Sequence, residues 1–190
     1  DQHGLIRGPR GLKVMTYSLS LRLLTISLIL ISLALLPSAA QGQQRSYTNR
    51  SLDYVLDLPS ANWRVIKVPG VAHTSTEFRY GQKSRVQLRI RREFVDDGVS
   101  PADLVQRKQR FDRVSLRGYV KSKVEPFEGR LSGTKYAYEY VTAGKPTAVL
   151  NYYLHANNRF IYRVEFVGPP NKLQAIAEQT DFIARSFRMK

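Results

Sequence analysis

The chain has 190 residues, 30 Lys and Arg against 15 Asp and Glu, a formal net charge of +15 and no cysteine. That balance favours contact with polyanions. The missing thiol excludes disulfides, thiolate metal ligands, a cysteine nucleophile and a lipid anchor on cysteine, so the fold must be held by its core alone.

The N-terminal part reads as an address. Leu23–Leu36 is apolar except for Thr25, Ser27 and Ser32, is preceded by Arg10, Lys13 and Arg22, and is followed by Pro37-Ser38-Ala39-Ala40. A positive flank, a short apolar run and small residues make a secretory signal peptide, with cleavage expected after Ala40 or after Gly42. A run of about 14 residues is short against the roughly 20 needed to span a bilayer, which puts cleavage ahead of an uncleaved N-terminal membrane anchor. Met15 stands just before the signal, so residues 1–14 are read as upstream read-through, 15–42 as the signal and 43–51 as a flexible tether. Residues 52–190 are read as a single α+β domain. Four of the basic and one of the acidic residues precede residue 43, so the remainder carries 26 against 14, a net +12. The charge belongs to the exported body. In a periplasmic or extracellular setting its counterparts are an acidic protein, a membrane-associated complex, anionic lipid headgroups or an envelope polymer rather than nucleic acid.

Beyond the tether, Tyr54, Leu56 and Leu58 alternate with Asp53 and Asp57 in a strand that Pro59 ends. Ser60-Ala61-Asn62 turns the chain into the alternating run Trp63–Val68, whose tryptophan reads as core. Thr74–Tyr80 is a third strand, and Gly81–Ser84 turns into the fourth. In that fourth run Val86, Leu88 and Ile90 face one way while Arg85, Arg89 and Arg91 face the other. Alternate strand residues lie about 7 Å apart, close to the spacing of successive phosphates or acidic sugars, which makes the arginine row a candidate anion-binding surface. The competing reading is a solvated outer face or a charged edge that resists aggregation.

Ser100-Pro101-Ala102-Asp103 is a helix start: Ser100 caps free N–H groups, Pro101 sits in the first turn and Asp103 meets the positive end of the dipole. The helix is expected to run to about Val114 and to bury Leu104, Val105, Phe111 and Val114 against the sheet, leaving Arg107, Lys108, Arg110 and Arg113 outside. Four further strands follow, at Tyr119–Val124, Leu131–Thr142, Thr147–His155 and Arg159–Val167, joined by short turns that predict an antiparallel meander. Tyr136, Tyr138 and Tyr140 recur at every second position and read as core. A final helix over Asn171–Ser186 carries Leu173, Ile176, Ala177 and Ile183 toward the sheet.

A strand ending in proline, a turn and a tryptophan (Tyr54–Trp63), an arginine-edged strand, a Ser-Pro capped helix, a four-strand meander and a closing helix ending Phe182–Phe187 resemble the Mog1/PsbP-type α/β fold over about residues 52–187. Two local strings, LDLPSANW and DFIARSF, add to the resemblance. It implies a mainly antiparallel sheet packed with two main helices. It also implies a binding scaffold: PsbP-like proteins are exported subunits docked on membrane complexes, and Mog1-like proteins bind a small GTPase. Fold analogy alone licenses no activity.

The sequence offers little for catalysis. His73 and Glu77 are four apart outside any helix, no HExxH is present, Ser132 lies in no GxSxG elbow, and no phosphate-binding glycine loop follows a strand. No catalytic, metal or cofactor residue is therefore assigned. The expectation is a non-catalytic interaction module that docks through Arg85, Arg89, Arg91, Arg107, Lys108 and Arg110. The alternative is a small-ligand carrier or hydrolase with a pocket between sheet and helix, using His155 and Glu139.

Overall fold

Alternating runs become the strands of two antiparallel sheets in the computed structural model, which describes residues 44–68, 75–83 and 85–190. The stretches read as upstream segment, signal and cleavage site, and His73, lie outside the described residues. In chain order the elements are β1 (Arg45–Asn49), β2 (Tyr54–Leu58), β3 (Trp63–Lys67), β4 (Ser75–Tyr80), β5 (Gln87–Phe94), α1 (Pro101–Ser115), β6 (Val120–Phe127), β7 (Gly133–Thr142), β8 (Lys145–Asn157), β9 (Phe160–Gly168), α2 (Pro170–Gln174), α3 (Ala177–Ser186) and β10 (Arg188–Met189). Seven strands form the main sheet in the order β3-β4-β5-β9-β8-β7-β6, and β1-β2-β10 form a second. The meander β6 to β9 is intact, and the fold is α+β.

Period-two alternation gives the main sheet two unlike faces. On the first, Phe78, Leu88, Ile90, Tyr152, Tyr162 and Phe166 are fully buried. They pack with Tyr54 and Leu56 of β2, with Leu173 and Ile176 around α2, and with Ile183 of α3. Trp63 is 2% exposed, lies 5.8 Å from the Phe166 ring centre and gives its indole N–H to Gln179 at 3.2 Å, as the core reading requires. On the second face a smaller cluster joins Val105 of α1 to Tyr136, Tyr138, Val149, Tyr153 and Ile161.

Three sequence expectations need correction. The segment read as a tether is β1, paired with β2 in register from Arg45↔Leu58 to Asn49↔Tyr54. It escaped notice because it buries so little: only Asn49 is fully inside, with Tyr47 packed edge-on at 5.0 Å against Phe78. Side-chain hydrogen bonds hold it instead, since Asn49 Nδ2 donates to Thr76 Oγ1 at 2.8 Å and Asn49 Oδ1 accepts from the Leu52 N–H at 2.9 Å.

The second correction is the roll of α1. Its start matches expectation, with Ser100 Oγ accepting from the Asp103 N–H at 3.2 Å and Asp103 Oδ2 from the Ser100 N–H at 2.9 Å, a reciprocal capping box. Its buried stripe, however, is Pro101, Val105 and Asp112, while Phe111 is 62% and Val114 84% exposed. The buried Asp112 carboxylate pairs with Lys108 and accepts from Tyr136 OH, which also shares a hydrogen bond with Tyr119 OH at 2.8 Å. A polar anchor thus replaces the apolar contact that counting hydrophobic residues foresaw.

The third is the closing helix, which is two. α2 ends as Ala175 N–H bonds to Asn171 O, and Ile176 at φ −119° and ψ 22° leaves helical geometry before α3 begins. No glycine or proline marks the break. After α3, β10 is clamped to β2 by Arg188, whose Nη1 and Nη2 reach the two oxygens of Asp57 at 3.1 and 3.2 Å. A tight turn and one close approach fix the β7–β8 hairpin. Ala143 and Gly144 both have positive φ, 47° and 73°, as a two-residue turn between twisted strands demands. At Gly133 a Cβ would stand 2.0 Å from the Tyr153 carbonyl oxygen.

Candidate functional site

α1 packs mainly on β7 and β8, so among the described residues no helix is centred over the half of the second face built by β4, β5 and β9. Register places its side chains in cross-strand rows. One row runs Glu77, Arg89, Glu165, Asn151, and the next runs Ser75, Arg91, Arg163, Tyr153. In the first row Arg89 Nε lies 3.3 Å from Glu77 Oε1 and its Nη1 3.2 Å from Glu165 Oε1, so this arginine is neutralised from both sides. The second row differs. Arg91 and Arg163 stand directly opposite each other, and the acid near them is Glu93, whose Oε1 lies 3.1 Å from Arg163 Nε without alignment for a hydrogen bond.

Buried polar atoms in these two rows are also poorly satisfied. Among the described residues the buried Arg91 Nε and Arg163 Nε, and Asn151 Oδ1 of the neighbouring row, have no well-aligned hydrogen-bond partner, and the Tyr153 hydroxyl has only the Arg163 side chain beside it. Burial pushes the Tyr153 phenol up to about 12, against the opposing pull of the Arg163 charge. Tyr136 and Tyr138 are raised further, again by burial, with Asp112 adding to it. These tyrosines therefore stay neutral and act as hydrogen-bonding groups.

The predicted cations separate into two groups. Arg89 and Lys108 are engaged inside the protein, Lys108 with Asp112 and with the Phe111 ring at 5.3 Å. Arg85, Arg107 and Arg110 are exposed, and Arg91 is half-buried. Arg85 precedes β5 instead of lying within it. Gln109 Nε2 donates to Ser122 Oγ of β6 at 3.2 Å, which turns that flank of α1 toward β6. At about 100° per residue, Lys108 and Phe111 fall on the other flank, beside the open half of the sheet. The structure so brings a wall with an exposed aromatic to a floor holding Arg91 and Arg163.

Two clefts open on the same face. One of about 660 Å³ lies between the β7–β8 hairpin and the Gly168–Asn171 turn, and includes Arg85 and Lys145. It shares Gln87, Tyr140 and Val167 with an inner pocket of about 300 Å³ that reaches Arg89 and Glu165. A third cleft, of about 430 Å³, holds His155 beside Glu128, Thr134 and the start of α1. Glu139 lines a depression on the opposite face, against Leu173 and Gln174. The pair His155 and Glu139 is therefore not brought together, because the two residues project from opposite sides of the sheet. Among the described residues no group of three or more His, Asp or Glu is arranged to hold a metal ion.

No protein-family model matches this sequence, and no curated protein does. Solved structures do match its shape. LpqN of Mycobacterium tuberculosis, involved in cell envelope biogenesis, superposes with a TM-score of 0.56 at 13% identity over 78% of this chain and 91% of that one. Cyanobacterial PsbP from Synechocystis gives 0.52 at 13% identity over 80% and 96%. The Saccharomyces cerevisiae Ran-binding protein Mog1p gives 0.50 at 8% over 78% and 96%. The fold is Mog1/PsbP-like.

Within this Mog1/PsbP-like frame, reading the sequence missed Arg163, Tyr153 and Asn151. Arg163 and Glu165 alternate on β9 as plainly as the arginines do on β5. Which of them meets which depends on strand register across non-consecutive strands, and no local pattern encodes that.

Proposed function

We propose that this protein is an exported, non-catalytic binding module that docks an acidic protein or membrane-associated complex on the open half of its second sheet face. The observation that supports this most is the facing of Arg91 and Arg163, with Glu93 as the one acid among the described residues within 4 Å of Arg163, on a floor over which no described helix is centred. Like charges directly opposite on neighbouring strands are destabilising, and an acidic group seated over them relieves that cost. Exposed Arg85, Arg107 and Arg110 supply a cationic rim. The 62% exposed Phe111 ring beside Lys108 gives the surface an aromatic contact of the kind enriched in protein interfaces, which favours a protein over a bare polyanion.

The neighbouring folds support the same class, since one is named for cell envelope biogenesis and another for binding Ran. The test is affinity capture from envelope extract with tagged full-length chain expressed with its own leader, beside the variant R85Q/R91Q/R107Q/R110Q. Arg89 is left alone because its removal strands two carboxylates. Capture at 0.1 M salt should vanish in the variant, and should fall in the parent as the Debye length shrinks from about 10 Å to about 3 Å at 1 M. Partners retained equally by parent and variant, or at both salts, would refute the docking surface.

A further inference from the structure

The cleft of about 660 Å³ at the hairpin end of the same face shares only Arg85 with the docking surface and has a composition of its own. Arg85 and Lys145 are exposed at its rim, and no aspartate or glutamate is among its lining residues. Val167, Pro146, Pro169 and the Tyr140 ring give it an apolar wall. Toward the inner pocket the character changes, because Arg89 is neutralised by Glu77 and Glu165, leaving Gln87 and the Tyr140 hydroxyl as neutral polar groups. The volume falls in the range of sites that take one small ligand. Its walls are stiff: the two-residue turn at Ala143-Gly144 and the prolines at 146, 169 and 170 restrict the backbone on both sides.

We infer that this cleft binds a small amphipathic organic anion, its acid between Arg85 and Lys145 and its ring or apolar body against Tyr140, Val167 and Pro169. Charge complementarity decides the orientation. An acid placed inward would meet Glu165, whereas at the rim it meets two uncompensated cations. Of its residues only Arg85 is shared with the rim of the docking surface: Lys145 and Tyr140 belong to the hairpin end, and the rows of Gln87 and of Arg89 separate them from Arg91 and Arg163.

The test uses the full-length chain and two fluorescent probes of the same shape, 8-anilinonaphthalene-1-sulfonate and its uncharged parent N-phenyl-1-naphthylamine. The sulfonate should bind saturably at one site, and R85Q/K145Q, which alters only exposed side chains, should weaken it tenfold or more. The neutral probe should bind at least tenfold more weakly than the sulfonate. Amide NMR shifts on adding the sulfonate should centre on Gln87, Tyr140 and Val167–Asn171. The variant R91Q/R107Q/R110Q should bind the probe as the parent does even if it loses its protein partner, so failure of the docking reading and failure of this one are told apart. Equal affinity for the two probes, no loss in R85Q/K145Q, or shifts centred on Phe111 and Val114 would each overturn the assignment.

Discussion

Replacing Arg89 by Gln tests whether the charged floor is an internal network or a set of free cations. Arg89 sits between Glu77 and Glu165, its side chain 31% exposed and theirs 17% and 13%. Breaking a fully buried ion pair by removing one partner costs about 3–5 kcal/mol, because the other charge is left without compensation. Here the arginine is about a third exposed and Glu77 retains Lys67 at 3.8 Å, so solvent and a second cation reduce the cost to about 2 kcal/mol. For a domain of this size that corresponds to a fall in Tm of about 4–8 °C. Urea unfolding followed by tryptophan fluorescence suits the measurement, as Trp63 lies in the core. The triple variant E77Q/R89Q/E165Q should recover most of the loss, since neutral amides of similar shape carry no stranded charge. A stability change below about 0.5 kcal/mol in R89Q, or no recovery in the triple variant, would refute the network and return Arg89 to the docking surface.

Three further outcomes follow from local geometry. Gly133→Ala should cost at least about 3 kcal/mol or prevent folding, because its Cβ would collide with the Tyr153 carbonyl where β7 meets β8; a thermal melt within 5 °C of the parent would contradict the pairing. Ala143→Asn should stabilise the protein by about 0.5–1 kcal/mol, since Asn tolerates the positive φ that Ala holds there, and a destabilised variant would show that the turn is not of this type. Alkaline pH should unfold the protein cooperatively: burial raises the Tyr153 phenol from its ordinary 10.0 to about 12 and raises Tyr54, Tyr136, Tyr138 and Tyr152 still further. The unfolded chain then loses protons near pH 10 while the native state keeps them, so stability is full below pH 10 and declines above it. Tyrosinate absorbance from these residues should appear only with unfolding, and their smooth titration near pH 10 in a still-folded protein would contradict their burial.

What was legible in the sequence was whatever a local period or a local cap encodes. Tyr54-Leu56-Leu58 and Leu88-Ile90 read directly as strands because their alternation is confined to one segment, and Ser100-Pro101-Asp103 read as a helix start because each residue answers a specific free backbone group. β1 was illegible, since it is held by Asn49 and by pairing to β2 in place of apolar alternation. The roll of α1 was misread for a related reason: Asp112 goes inside only because Tyr136 and Lys108 wait there, and these partners come from different elements. At the candidate site the arginine row was visible residue by residue. Its division into a neutralised Arg89 and an uncompensated Arg91 depends on β9 lying beside β5, which brings Glu165 to Arg89 from 76 residues away in the chain. Pairing partners, more than residue types, separate a structural cation from one left for a ligand.

The docking face itself is tested most directly by photocrosslinking in living cells, with a photoreactive residue at position 107 on the exposed side of α1, or at Phe182 on α3, which packs with the opposite sheet face. The account predicts a discrete crosslinked adduct from position 107, absent at high salt, and none from position 182. An adduct from position 182 alone would place the partner on the opposite side of the fold and contradict it.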